Sequence, residues 1–220
     1  NAAINAMTAN ARDDFNLVVN DGTSTQTTGF SAWIVGASDN PAISDGLDSL
    51  TLTEANAPLL GSGSITVTDN DTTDSVNLST SVAVSGTTTA TLPGNATLLA
   101  MLTLGNTTVL NDASAITTGV NWAFNSGAEY FDFLAEGETL VLTYTISATD
   151  TGSPALSDST TVTVTITGTN DGPELTAPGA VALTDTAADD TLSHLTGTLA
   201  GTDADHNATL TYSVAGQATG

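Results

Sequence analysis

The chain has 220 residues, 40% of them hydrophobic and 5% aromatic, enough to bury a core as one large domain or two small ones. It contains no lysine, its one strong base is Arg12, and its formal net charge is −23, so nucleic-acid phosphates and anionic membrane surfaces are electrostatically opposed and cations are the expected partners. The absence of cysteine excludes disulfides and thiolate metal sites as stabilisers, and no run approaches the roughly 20 apolar residues of a membrane span.

Abundant threonine with few aromatics suits many short strands, so the chain reads as all-β. Asn1-Ala2-Ala3-Ile4 does not resemble a signal peptide, and the chain is expected to start within a longer protein. Phe15, Leu17 and Val19 alternate with polar residues, Asp21-Gly22 makes a turn, and a return run ends at Trp33-Ile34-Val35. Leu50-Thr51-Leu52-Thr53-Glu54 and Gly63 to Asp71 then read as two opening strands. Val76, Leu78, Val82 and Val84 suggest one or two more strands, interrupted by Ser85-Gly86.

Leu98, Leu99, Met101 and Leu102 lie near helical spacing, which predicts a short helix within Asn95 to Leu104. Trp122 and Phe124 alternate as a strand. Tyr130, Phe131, Phe133 and Leu134 are expected to plug one end of the core, and a binding platform is the less favoured use of these aromatics. Leu140, Leu142, Tyr144 and Ile146 alternate up to Asp150, and Val162, Val164 and Ile166 alternate with threonines from Thr161 to Thr167.

That last strand is stopped by Gly168-Thr169-Asn170-Asp171-Gly172-Pro173. The same punctuation, Gly36-Ala37-Ser38-Asp39-Asn40-Pro41, occurs 132 residues earlier and defines a repeating module. After the second linker, Leu183-Thr184-Asp185 answers Leu52-Thr53-Glu54, and Gly197 to Asp205 answers Gly63 to Asp71.

The carboxylates cluster near strand ends: Asp69 and Asp71 lie two apart at a strand end, Glu136 and Glu138 two apart before a strand, and Asp150 ends a strand. In an extended segment, residues i and i+2 face the same way, so each pair is expected to project two carboxylates to one side. Two such charges about 4 Å apart repel by roughly 4 kcal/mol at an effective dielectric near 20, which favours recruitment of a cation. Calcium, which takes about six to eight oxygens from carboxylates, amides and backbone, fits this donor set. Zinc does not, because His194 and His206 are the only nitrogen donors and neither has a second histidine at useful spacing. His206 is expected on a solvated turn.

Asn170-Asp171-Gly172-Pro173, the Asp69/Asp71 pair 30 residues after Asp39, and Leu134-Ala135-Glu136-Gly137-Glu138-Thr139 ahead of Tyr144-Thr145-Ile146 resemble the linker and acidic segments of cadherins. Phe131 to Leu140, Ala148-Thr149-Asp150 and Thr165 to Pro173 more closely resemble the VCBS, or cadherin-like, repeats of bacterial RTX-type giant surface adhesins. The resemblance implies tandem cadherin-like (Ig-like) Greek-key β-sandwich modules, one complete and two partial. Residues 1–40 would be closing strands of a truncated module, 41–170 the complete module, and 171–220 the opening strands of the next. It also implies calcium between modules, held at the first joint by Asp39, Asn40, Asp69, Asp71 and Asp150. At the second, the implied ligands are Glu54, Glu136, Glu138, Asn170, Asp171, Asp203 and Asp205. The first linker lacks an asparagine before its Asp, and Asp185 stands where the earlier copy has Glu54.

The function this implies is a non-enzymatic spacer in a secreted bacterial cell-surface adhesin, stiffened by calcium and folding after type I export. Its partners would be calcium ions and neighbouring modules of the same chain, with neither nucleic acid nor membrane insertion, and the chain would be a monomer. The alternative is a carbohydrate- or protein-binding module using Trp33, Trp122 or the Tyr130 to Phe133 cluster. Neither histidine lies in a recognisable nucleophile motif, which argues against an enzyme.

Overall fold

The computed structural model describes residues 7, 10–44, 49–111, 115–189 and 197–213. Asn1 to Ile4 and His194, singled out in the sequence, lie outside them. Strands β1 (Ala11–Asn20) and β2 (Thr25–Ile34) form the expected antiparallel hairpin, paired from Ala11↔Ile34 to Asn20↔Thr25. Its turn is fixed by Asp21 Oδ1, which accepts the Thr23 and Ser24 N–H groups at 2.8 and 2.7 Å.

The middle of the chain is a two-sheet sandwich. Its strands are β3 (Ala42–Ser44), β4 (Ser49–Thr53), β5 (Leu60–Thr68), β6 (Val76–Gly86), β7 (Leu102–Leu104), β8 (Thr108–Val109), β9 (Thr117–Asn125), β10 (Thr139–Asp150) and β11 (Ser157–Thr167). One sheet has the order β4-β11-β10-β6-β8 and the other β3-β5-β9-β7. The chain crosses between sheets from β5 to β6 and from β9 to β10, so β5 pairs with β9 and β6 with β10, the interlocked Greek-key order of Ig-like sandwiches.

Period-2 sequence dictates these strands. Along β10 burial alternates without a break, with Leu140, Leu142, Tyr144, Ile146 and Ala148 inward, and Val162, Val164 and Ile166 of β11 continue that face. Ile65, Val67, Val120, Trp122 and Phe124 face them from the second sheet, and Phe124 meets Tyr144 edge-on at 6.3 Å between ring centroids. Each large side chain so buried contributes about 1.5–3 kcal/mol. Ser85-Gly86 does not interrupt β6, which runs unbroken to Gly86 because all eleven of its residues pair with β10.

The expected helix forms as α1 (Asn95–Ala100), and the next residues turn into β7. Leu98 of α1 is buried, and its carbonyl accepts the Tyr144 hydroxyl at 2.7 Å. Phe131 and Leu134 plug the core as expected, and Trp122 lies wholly inside it. Three strands of the sandwich were not expected from sequence: β3 and β7, of three residues each, and β8, of two, are too short to show alternation, and β7 takes the end of the stretch read as helical.

Beyond the sandwich, β12 (Glu174–Thr176) pairs with β13 (Ala200–Thr202) through Glu174↔Thr202 and Thr176↔Ala200. This copies the Ala42↔Thr68 to Ser44↔Thr66 ladder of β3 and β5. Leu183-Thr184-Asp185 is not a strand, which corrects the expectation drawn from Leu52 to Glu54. β4 is held by parallel pairing with β11, and no counterpart of β11 follows Leu183 among the described residues.

Candidate metal centres at the two joints

At the first joint the linker between β2 and β3 is tied to the sandwich by backbone-to-carboxylate bonds. Asp39 N–H donates to Asp71 Oδ2 at 2.5 Å, and Asp71 N–H donates to Asp69 Oδ1 at 2.9 Å. The second bond is an Asx-type turn, so Asp69 and Asp71 are brought together by a bend after β5 rather than by strand alternation. Asp150 ends β10, and its Oδ1 accepts the N–H groups of Gly152 and Leu156 at 3.0 and 2.9 Å.

These bonds leave Asp69, Asp71 and Asp150 only 3%, 2% and 3% exposed. Asp69 Oδ2, Asp71 Oδ1 and Asp150 Oδ2, with Asp39 Oδ2, Asp74 Oδ2 and Ser38 Oγ, are buried without a hydrogen-bond partner. Burial pushes the Asp69 carboxyl above its ordinary value, and the charges of Asp71, Asp150 and Asp74 add to this against the Asp71 N–H bond. Asp71 is raised by burial and by Asp39, Asp74 and Asp150, and Asp74 by burial and Asp150. Orphaned anionic oxygens in a water-poor site are costly unless a proton or a cation joins them.

The second joint repeats the two-bond relay of the first. Asp171 N–H donates to Asp205 Oδ2 at 3.0 Å, and Asp205 N–H donates to Asp203 Oδ1 at 3.0 Å. The middle sandwich adds Glu54, at the end of β4, and Asp132. Carboxylate oxygens of Glu54, Asp132 and Asp171 lie within 4.8 Å of one another. A calcium ion with oxygens at about 2.3–2.6 Å spans that distance.

Glu54 is 3% exposed, and its Oε2 accepts both the N–H and the hydroxyl of Thr169 at 2.9 Å. Asp132 Oδ1, Asp171 Oδ2 and Asp205 Oδ1 are buried without a partner. Burial raises the Asp171 carboxyl, with Asp132 and Asp203 adding to it, and raises Asp205, with Asp203, Asp171 and Glu138 adding to it.

The Glu136/Glu138 pair does not share a face. Gly137 between them has φ of +80° and Glu138 N–H returns to the Ala135 carbonyl at 2.9 Å, so the segment is a turn and strand alternation does not apply. Glu138 is half-buried, with its Oε2 accepting the Thr88 hydroxyl at 3.0 Å, whereas Glu136 is exposed. Asn40 and Asn170 are also exposed, and Asn170 Nδ2 donates to the Asp171 carbonyl at 2.8 Å. His206 lies on a turn as expected, but it is half-buried rather than solvated. Its backbone N–H donates to the Phe133 carbonyl at 3.1 Å, and its Nδ1 lies 3.7 Å from Glu138 Oε1, so it bridges the joint.

Sequence reasoning gave no ligand role to Ser38, Asp74 or Asp132. Asp74 follows the Asp-x-Asp pair by three residues, a charge spacing that was the available signal. Asp132 sits between two phenylalanines read as core, and what aims it is a backbone turn: Phe131 has φ of 65°, a left-handed conformation rare for a bulky residue, with its ring fully buried.

Strand order and linkers define the class: an all-β, cadherin-like (Ig-like) sandwich with acidic joints. No family model matches the chain, and no curated protein matches it. Among solved structures it is similar to PapD-like domain 7 of human CEP192, with 16% identity over 60% of this chain and 86% of that one and a TM-score of 0.36. It is also similar to the protocadherin gammaB7 EC3-6 cis-dimer structure, with 16% identity, 91% and 45% coverage and a TM-score of 0.33. A third is mouse clustered PcdhgC3 EC1-3, with 17% identity, 77% and 45% coverage and a TM-score of 0.31. The chain thus spans 45% of the length of each of the latter two.

Proposed function

We propose that this chain is a calcium-stiffened spacer segment of an extracellular adhesin, of the VCBS or cadherin-like repeat type found in bacterial RTX surface proteins and exported by a type I route. The observation that carries this is the duplicated relay, Asp39 to Asp71 to Asp69 and Asp171 to Asp205 to Asp203, with orphaned carboxylate oxygens at both joints. A divalent cation bound there by linker and sandwich carboxylates would cancel their repulsion and fix one sandwich against the next. Metal ligation accounts for the acids without catalysis, and the calcium-free chain, self-repelling at a net charge of −23, suits export before folding.

Small-angle scattering of the chain with chelator and with millimolar calcium tests the reading. Calcium is expected to fix a single maximum dimension where chelator gives a broad distribution, and an unchanged profile would sink it. A second reading, a glycan- or protein-binding module, has Trp33 in its favour, 64% exposed with the Arg12 guanidinium 5.5 Å from its ring centroid. A glycan array with no hits would leave the spacer reading in place. Trp122 and Phe131 are core residues and lend the binding reading nothing.

A further inference from the structure

The β1–β2 hairpin copies the register of β10 and β11 without the layer that covers them. At the linker offset of 132, Phe30, Ala32 and Ile34 stand where β11 has Val162, Val164 and Ile166. Phe30 pairs with Phe15 as Val162 pairs with Tyr144, and Thr28 pairs with Leu17 as Thr160 pairs with Ile146. Residues directly opposite one another in a ladder share a face, so Phe15, Leu17 and Phe30 mark the face that is core in β10 and β11. Here that face is bare: Phe15 and Phe30 stack at 5.0 Å between ring centroids, and all three side chains are exposed. Among the described residues β2 pairs only with β1, which leaves its other edge open, whereas the same edge of β11 carries β4.

The other end of the chain carries the complement. Leu175 stands where β3 has Ile43, and Leu199 and Tyr212 stand where the middle sandwich has Ile65 and Leu78, three residues buried in its core. Leu175, Leu199 and Tyr212 are exposed instead. Val181-Ala182-Leu183-Thr184 repeats the alternation of Leu50-Thr51-Leu52-Thr53 but forms no strand, and Val181 and Leu183 are exposed. What β4 has and this segment lacks is a parallel neighbour. The chain therefore displays an edge without its strand at β2 and a strand sequence without its edge at 181–184, and within one chain β1–β2 and β12–β13 stay separate sheets.

We propose that residues 181–184 of one copy dock as a parallel strand on the free edge of β2 in a second copy, with the β12–β13 pair laid over the Phe15–Phe30 face, so that two copies share one composite sandwich. The register follows from β11 and β4, where Val164 pairs with Leu50 and Ile166 with Leu52, which sets Ala32 beside Val181 and Ile34 beside Leu183 of the other copy. Strand addition supplies main-chain bonds, and the exposed apolar side chains of both halves supply the burial. Because the contact joins two different surfaces, it repeats head to tail and does not close on itself. It contrasts with the monomer expected from sequence, and it rests on strand register, not on calcium at the joints. Asp13 opposes it: this residue pairs with Ala32 on the apolar face, where β10 has Leu142, and an inward-pointing charge on an open sheet weakens such pairing.

Sedimentation of the full chain over a concentration series, in salt that screens its net charge of −23, tests this. The mean mass is expected to exceed that of one chain and to rise with concentration. Phe15→Asp and Leu183→Asp, both at exposed positions outside the middle core, are each expected to give monomers. Mixed, they should form a one-to-one dimer that grows no further, because each supplies the surface the other has lost. Asp13→Leu is expected to tighten association about tenfold or more. A wild-type chain that stays monomeric at every concentration would overturn the proposal and leave the calcium reading standing. Association abolished by Phe15→Asp but not by Leu183→Asp would overturn it too, marking two hairpins that meet each other.

Discussion

The backbone N–H of Asp39 donates to the carboxylate of Asp71, 32 residues further on, and this one bond ties the linker to the head of the sandwich that follows it. Because the acceptor is a buried carboxylate with a second, unpartnered oxygen, the linker's position depends on what neutralises Asp71.

Asp71→Asn is therefore expected to change stability with opposite signs in two buffers. In chelator, removing a buried charge set among Asp39, Asp74 and Asp150 stabilises the chain by roughly 1–3 kcal/mol, since the amide oxygen still accepts the Asp39 N–H. In saturating calcium, loss of a ligand destabilises it relative to wild type. Denaturant melts in the two buffers check this, and the same sign in both would refute it.

Acidity is expected to stabilise the metal-free chain. The folded-state carboxyls of Asp69, Asp71, Asp74, Asp171 and Asp205 lie above the usual carboxylate value of 3.8. A group raised on folding contributes stability that is complete below its unfolded value and is lost as pH rises through the folded one. With chelator present, the melting temperature should climb as pH falls from neutral toward 3.8. Saturating calcium should reverse that slope, because protons then compete with the ion. A chelator-treated chain that melts earlier on acidification would contradict the electrostatic account.

Gly168 carries a steric demand. A Cβ there would collide with the Leu134 carbonyl and lie 2.5 Å from the Ala135 oxygen, while Gly168 N–H donates to the Glu138 carbonyl at 2.9 Å. Gly168→Ala is expected to cost roughly 1–3 kcal/mol through overpacking against backbone that cannot swing away. It should also weaken calcium binding at the second joint, because Thr169, which anchors Glu54, is the next residue. Calorimetric titration beside a denaturant melt separates the two effects.

Tyr144→Phe is the control that leaves the joints alone. It removes the buried hydroxyl bonded to the Leu98 carbonyl and is expected to cost about 1–2 kcal/mol, equally with and without calcium. A calcium-dependent penalty, read from paired melts, would mean that the core and the joints are energetically coupled.

Most of the sandwich was legible because β10 and β11 write their burial into the sequence at period two, and the linkers were legible because Gly, Asn, Asp and Pro stop strands there. The joints were legible only as charge. Which acids converge depends on turns that alternation does not encode: the bend that lets Asp71 N–H reach Asp69, the left-handed Phe131 that aims Asp132, and the Gly137 turn that separates Glu136 from Glu138. Asp74 went unassigned because its position is set by the pairing of Ser75 with Thr151, 76 residues away.

The parallel pairing of β4 with β11 also sets how the sandwich bears load. Tension drawn through the flanking linkers reaches this ladder at Ser49 on one strand and Thr167 on the other, which are its opposite ends, since Ser49 pairs with Thr163 and Thr53 with Thr167. Pulling thus shears all five paired positions together instead of peeling them one at a time, so rupture needs the whole ladder to fail at once. The sandwich therefore resists force at the seam where β4 meets its last strand, β11.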